Sequence, residues 1–200
     1  IEEIKMVEDT PEDDAHDLVY EVMFQNQPLA KSILGTVETL TSITGDSIRS
    51  YMREEYTRDS IVISVCGNFD EDQVCAFFEG KLAHLAEAKS TKPQLMIPYH
   101  PNYRMKVKDI EQSHLCLATK GIKINDPQYY AMAVLNNIMG GSMSSRLFQN
   151  IREEKGMAYS VYSYSSSYLQ DGFYGIYAGV SHDKVADTVG AIKEELTLLK

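Results

Sequence analysis

Two Tyr- and Val-rich runs, Ala158 to Tyr168 and Phe173 to Val180, meet across Asp171-Gly172, and no other feature limits the fold as much. Aromatic and β-branched side chains suit a pleated, half-buried surface, and Asp-Gly supplies the tight turn of an antiparallel hairpin. A doubly wound parallel sheet would instead alternate each strand with a helix. Further strand text precedes the hairpin, at Met105 and Val107 and at Ser113 to Thr119, which alternates around Leu115 and Leu117. Asp126-Pro127 predicts a helix start, with Ala131, Val134, Leu135 and Ile138 along it and a stop at Gly140-Gly141. A second helix over about Ser144 to Lys155 ends at Gly156, a left-handed C-cap. Ser181 caps a last helix that turns Val185, Val189, Ile192, Leu196 and Leu199 inward.

The first half reads as helices leading into one strand and one more helix. Thr10-Pro11-Glu12 combines a capping side chain, proline at the first helical position and carboxylates in the first turn. Ala15, Leu18, Val19, Val22 and Met23 then share one face. Asp46 to Tyr56 carries a second amphipathic pattern, and Ser60 to Val65 is a β-branched run, ended by Gly67-Asn68, that predicts a buried strand. Asp70 opens another helix with Val74, Phe77, Phe78 and Leu82 inward. From Glu87 to Tyr103 periodicity gives way to Pro93, Pro98 and Pro101, which favour an extended connector. The expected architecture is therefore α+β: two subdomains with antiparallel-rich sheets covered by helices, over 1–86 and 104–200, joined by a linker at 87–103.

Charge and composition exclude several classes. Among 200 residues, 29 acidic and 19 basic side chains leave a net charge of −10, with no basic run. Nucleic-acid binding by counterion release needs clustered Lys and Arg, so no nucleic-acid partner is expected. The longest uninterrupted apolar stretch, Tyr129 to Leu135, is seven residues, against the ~20 of a helical membrane span, and no membrane partner is expected. Cys66, Cys75 and Cys116 are odd in number and widely spaced, which fits buried reduced thiols better than a disulfide framework or a thiolate metal site. The chain opens without an initiator Met inside helix-like text and closes the same way, as expected of a piece of a longer polypeptide.

Spacing alone assembles no active site. His16, His84, His100, His114 and His182 form no helical pair that would bring two imidazoles to one metal. Gly140-Gly141 lacks the Lys and third Gly of a phosphate loop, and no G-x-S-x-G elbow occurs. The alternating tyrosines of the hairpin read as half-buried sheet packing. His114 reads as a satisfied sheet residue, and His16 as lying on the exposed edge of its helix.

The run Gly140 to Val161 (GGSMSSRLFQNIREEKGMAYSV) resembles the second-domain signature of the insulinase/pitrilysin-type, or inverzincin, zinc peptidases. It is most similar to their branch of bacterial processing proteases and the catalytic subunit of mitochondrial processing peptidase. The opening Ile1 to Pro11 (IEEIKMVEDTP) resembles the helix that supplies the family's distal zinc ligand. Pro28 to Thr36 (PLAKSILGT) resembles the loop that follows it, and Gly67-Asn68-Phe69-Asp70 also fits.

What this resemblance implies can be stated residue by residue. The family's H-x-x-E-H motif, two histidines holding Zn2+ and a Glu as general base, does not occur in this chain and is expected upstream of it. Glu3 aligns with the distal metal ligand, with Glu2 the competitor in a neighbouring register. Arg152 and Tyr159, seven residues apart, align with the pair that reaches the bound peptide; Arg146 is read as structural. The implied protein is a zinc endopeptidase of peptides or presequence-like substrates, closing in a two-half chamber. It would work as a homodimer or with a related subunit, in the bacterial cytoplasm or the mitochondrial matrix. The alternative is a non-catalytic homologue acting as a scaffold or partner subunit. Read without the resemblance, Glu3 is one of many solvated helical carboxylates, Arg152 a cation favoured in a last helical turn, and Tyr159 a sheet tyrosine.

Overall fold

The computed structural model describes residues 1–87 and 99–199. It divides into two compact units, Ile1–Thr36 with Leu95–Lys200, and Val37–Gln94. This division differs from the sequence partition at 1–86, 87–103 and 104–200, because the first two helices pack with the second half. Most of the expected linker lies outside the described residues.

The larger unit opens with α1 (Glu2–Glu8) and α2 (Pro11–Met23). Thr10 precedes Pro11 in extended conformation, but its hydroxyl donates back to the Met6 carbonyl instead of capping α2. The sheet comprises β1 (Ser113–Lys120), β2 (Ser160–Ser167) and β3 (Gly172–Val180), antiparallel in the order β1-β3-β2. Ser113 pairs with Val180 on one side of β3, and Ser160 with Gly179 on the other. The central strand is buried along its whole length.

The period of two sorts its side chains between two covers. Tyr174, Ile176, Ala178 and Val180 join Leu147, Ile151, Met139, Ala191 and Ile192 in the main core. That core is covered by α6 (Tyr129–Met139), a π-helical segment (Phe148–Glu154) and α7 (Val185–Thr197). On the opposite face Phe173 packs with Val19 and Phe24 of the α2 region. The π character of Phe148–Glu154, where a plain helix was expected, ends in a bond from Lys155 N–H to Asn150 O, five residues back. Gly156 then turns the chain at φ +57°.

The smaller unit contains α3 (Val37–Ser42), α4 (Gly45–Glu55) and α5 (Glu71–Leu82). Thr44 and Ser47 form a reciprocal capping box on α4, and the Asp70 carboxylate accepts from Gln73 N–H to start α5. Ser60 to Val65 forms no strand: it is unpaired, and Val62 is 92% exposed. A β-branched run needs a neighbouring strand to complete its ladder, and this unit offers none among the described residues. An apolar groove of about 740 Å³, lined by Ile63, Val65, Phe69, Val74, Phe78 and Leu82 among others, lies beside that run. The fold is α+β, with all described strands in the larger unit. The thiols also depart from expectation, since Cys66 and Cys75 are exposed and only Cys116 is partly buried; all three are free.

Candidate functional site

Glu3 sits in the first turn of α1, a helix with no buried residue. Its carboxylate is exposed and has no hydrogen bond or ion pair among the described residues. Glu2, its neighbour, is instead held by Lys5 at 3.2 Å.

Arg152 and Tyr159 stand on either side of the Gly156 turn. The Arg152 guanidinium lies 4.8 Å over the Phe148 ring, and its Nε is 3.9 Å from the Glu153 carboxylate. Tyr159 is fixed by its backbone, whose N–H donates to Gly179 O at 2.9 Å, while the residue as a whole is 63% exposed. Backbone pairing at Tyr159 and ring stacking at Arg152 thus anchor two outward-facing donors, a guanidinium and a phenol. Such donors suit a peptide carbonyl or the negative charge that develops on it. No bond joins the two, and neither touches Glu3 among the described residues. Arg146, as expected, is structural: its Nη2 lies 2.8 Å from Glu195, which also accepts from Asn150 at 2.7 Å, tying the π-helical segment to α7.

A second polar constellation was missed by sequence reasoning. His16 is half-buried between α2 and the sheet, with its two ring nitrogens 2.9 Å from Tyr164 Oη and 2.8 Å from Tyr162 Oη. Tyr162 also donates to Glu12 at 2.7 Å, and His114 Nδ1 is 2.8 Å from Tyr177 Oη. Burial pushes the Cys116 thiol up to about 12, raises the Tyr162, Tyr164 and Tyr177 hydroxyls above their ordinary range, and lowers His16 and His114. A signal was present: Glu12, His16 and Tyr20 recur every four residues on the helix, beside Val19 on the buried stripe.

Among the described residues no group of three or more His, Cys, Asp and Glu side chains could hold a metal ion. No described helix is long and apolar enough to cross a membrane. The geometry defines a helix-covered antiparallel domain with two solvent-facing donors beside the Gly156 turn and an exposed carboxylate, Glu3, in the first turn of its first helix.

Comparison with known proteins carries this further. A family described as the peptidase M16 inactive domain matches residues 42–200. Over 202 residues the chain is 45% identical to the uncharacterized zinc protease YmxG of Bacillus subtilis (strain 168), covering 100% of this chain and 48% of that protein. The crystal structure of a peptidase M16 inactive domain from Pseudomonas fluorescens superposes with a TM-score of 0.77 at 21% identity, covering 96% of this chain and 47% of the other. A chain of Complex III2 from Candida albicans does so with a TM-score of 0.74 at 26% identity, over 92% and 46%. The chain belongs to the M16 peptidase family. It spans about half the length of the curated relatives it matches.

Proposed function

We propose that this chain is part of a zinc-dependent endopeptidase, an inverzincin of the processing-protease type, and that it supplies substrate contacts and one metal ligand. The observation that carries the reading is the pair of anchored, outward-facing donors at Arg152 and Tyr159, in a chain 45% identical to a relative named as a zinc protease. Glu3 would hold the metal together with two histidines from an H-x-x-E-H motif outside this chain. An anionic carboxylate with no competing partner suits a borderline cation, and Glu2, engaged with Lys5, is the poorer candidate. Zinc supplies Lewis-acid polarisation of a carbonyl and an activated water. Arg152 and Tyr159 donate to the peptide's carbonyl oxygens and hold the scissile region in one pose. Substrates would be peptides of the presequence kind, taken up in a two-half chamber by a homodimer or a pair with a related subunit, in the bacterial cytoplasm or the mitochondrial matrix.

The test is zinc content of the full-length protein after dialysis. Glu3→Gln should lose bound zinc while Glu2→Gln keeps it; retention in Glu3→Gln would remove the ligand role. A second reading, a non-catalytic assembly subunit, is favoured by the similarity to a chain of Complex III2 and by the matched family's description as an inactive domain. Full-length protein with neither zinc nor peptide turnover would select it.

A further inference from the structure

The hydrogen bonds around His16 have a forced direction. A carboxylate only accepts, so the Tyr162 hydroxyl spends its one hydrogen on Glu12. The Tyr162 oxygen can then only accept from His16, which places a hydrogen on Nε2. In a neutral ring Nδ1 is then a lone pair, and the Tyr164 hydroxyl donates to it, with Cys116 Sγ 3.9 Å from the same nitrogen. The ring is enclosed by aromatic faces, stacked on Tyr177 with centroids 5.4 Å apart and edge-on to Tyr164 at 5.0 Å. We infer that this relay latches α2, and α1 packed on it, to the sheet while His16 is neutral and protonated on Nε2, and that acid releases the latch.

Protonation at Nδ1 reverses the last bond, so Tyr164 must turn its hydrogen toward Cys116 and the half-buried ring carries a charge. The groups around the ring decide whether that charge is tolerated. Its own helix contributes Glu12, Asp13 and Asp17, which favour the cation, and Asp14, which is engaged by Lys106 and Lys108. The sheet contributes His114 and Cys116 from β1, Tyr162 and Tyr164 from β2 and Tyr177 from β3, all neutral at physiological pH and none able to compensate a charge. His100 and Arg104 line a cleft that α2 shares with His114 and Cys116 of the sheet, and Lys108 donates to the Glu8 backbone at the end of α1. Burial outweighs the helix carboxylates and depresses the imidazole. Docking is therefore at full strength above the free imidazole value of about 6.5 and weakens as pH falls through it toward the depressed value. α1 carries Glu3, so the latch also sets the orientation of that carboxylate, a consequence that rests on the proposed metal role.

Hydrogen exchange of the full-length protein, stripped of zinc, tests the latch independently of the metal. Between about pH 7.5 and pH 5, after correction for intrinsic rates, amides of residues 2–23 should lose about tenfold in protection while β2 and β3 keep theirs. In His16→Gln, which keeps a donor and an acceptor but cannot gain a proton, that difference should vanish. Imidazole 15N shifts of the unaltered chain at the higher pH should report the Nε2–H tautomer. Unchanged protection of 2–23 on acidification, a pH response that survives in His16→Gln, or the Nδ1–H tautomer would each overturn the inference. Absence of zinc from the full-length protein would sink the metal role and leave these readouts untouched.

Discussion

At the scale of single residues, the charges sort by what surrounds them. Glu195 is 6% exposed on its side chain, and Arg146 and Asn150 are its partners. Arg146→Met leaves a buried carboxylate with one neutral donor, and urea unfolding should register a loss of about 2–4 kcal/mol. Asp14 behaves differently. Burial alone would raise its carboxyl, but hydrogen bonds and charge from Lys108 and Lys106 outweigh that and hold it below the ordinary carboxylate value. Its contribution is complete above the unfolded value of about 3.9 and is lost as pH falls through the lower folded one. The segment 99–110 should thus stay protected from proteolysis at mild acidity and become cleavable only below about pH 4, a window well separated from that of His16. Asp14→Asn should make that segment cleavable at neutral pH. None of these pairings was legible in the sequence, because the partners of Asp14 lie about ninety positions away and those of His16 about one hundred and fifty. The Arg152–Tyr159 spacing could be read, since seven residues and one glycine fix it locally.

At the scale of elements, local pairs were legible and long-range ones were not. The hairpin was read from Asp171-Gly172, where the Asp171 side chain accepts from Gly172 N–H and Tyr168 N–H closes on Asp171 O. The runs at Ser60–Val65 and Met105–Val107 also read as strands yet pair with no strand among the described residues, and Met105 and Val107 are 80% and 84% exposed. Strand propensity describes a surface that fits a sheet; it does not name the neighbour. Two glycines show how tightly the real pairs are drawn. A Cβ on Gly140 would strike the Ser163 backbone nitrogen, and one on Gly172 the carbonyl oxygens of Ile122 and Ser166. Backbone cannot give way as a side chain can, so Gly140→Ala and Gly172→Ala should each destabilise by about 2–3 kcal/mol in denaturant titrations. Gly156→Ala meets no atom within 4 Å, and its strain comes from φ +57° alone. Its cost should stay near about 1 kcal/mol.

At the scale of the molecule, the α+β class was legible because hairpin text and helix periodicity occur together, whereas the grouping of α1 and α2 with the second half was not. That grouping rests on Val19 and Phe24 meeting Phe173, a contact no local pattern announces. It gathers Glu3, Arg152 and Tyr159 into one compact unit, although no contact joins them, and makes the substrate-contact role of the last two the claim on which the rest depends. The measurement closest to that claim is kcat/KM for peptide cleavage by the full-length protein and its Arg152→Ala/Tyr159→Phe variant, both loaded with equal zinc. A fall of about 10²–10³ at unchanged zinc content is expected if the two donors meet the reacting peptide. Equal kcat/KM in the two proteins would contradict it.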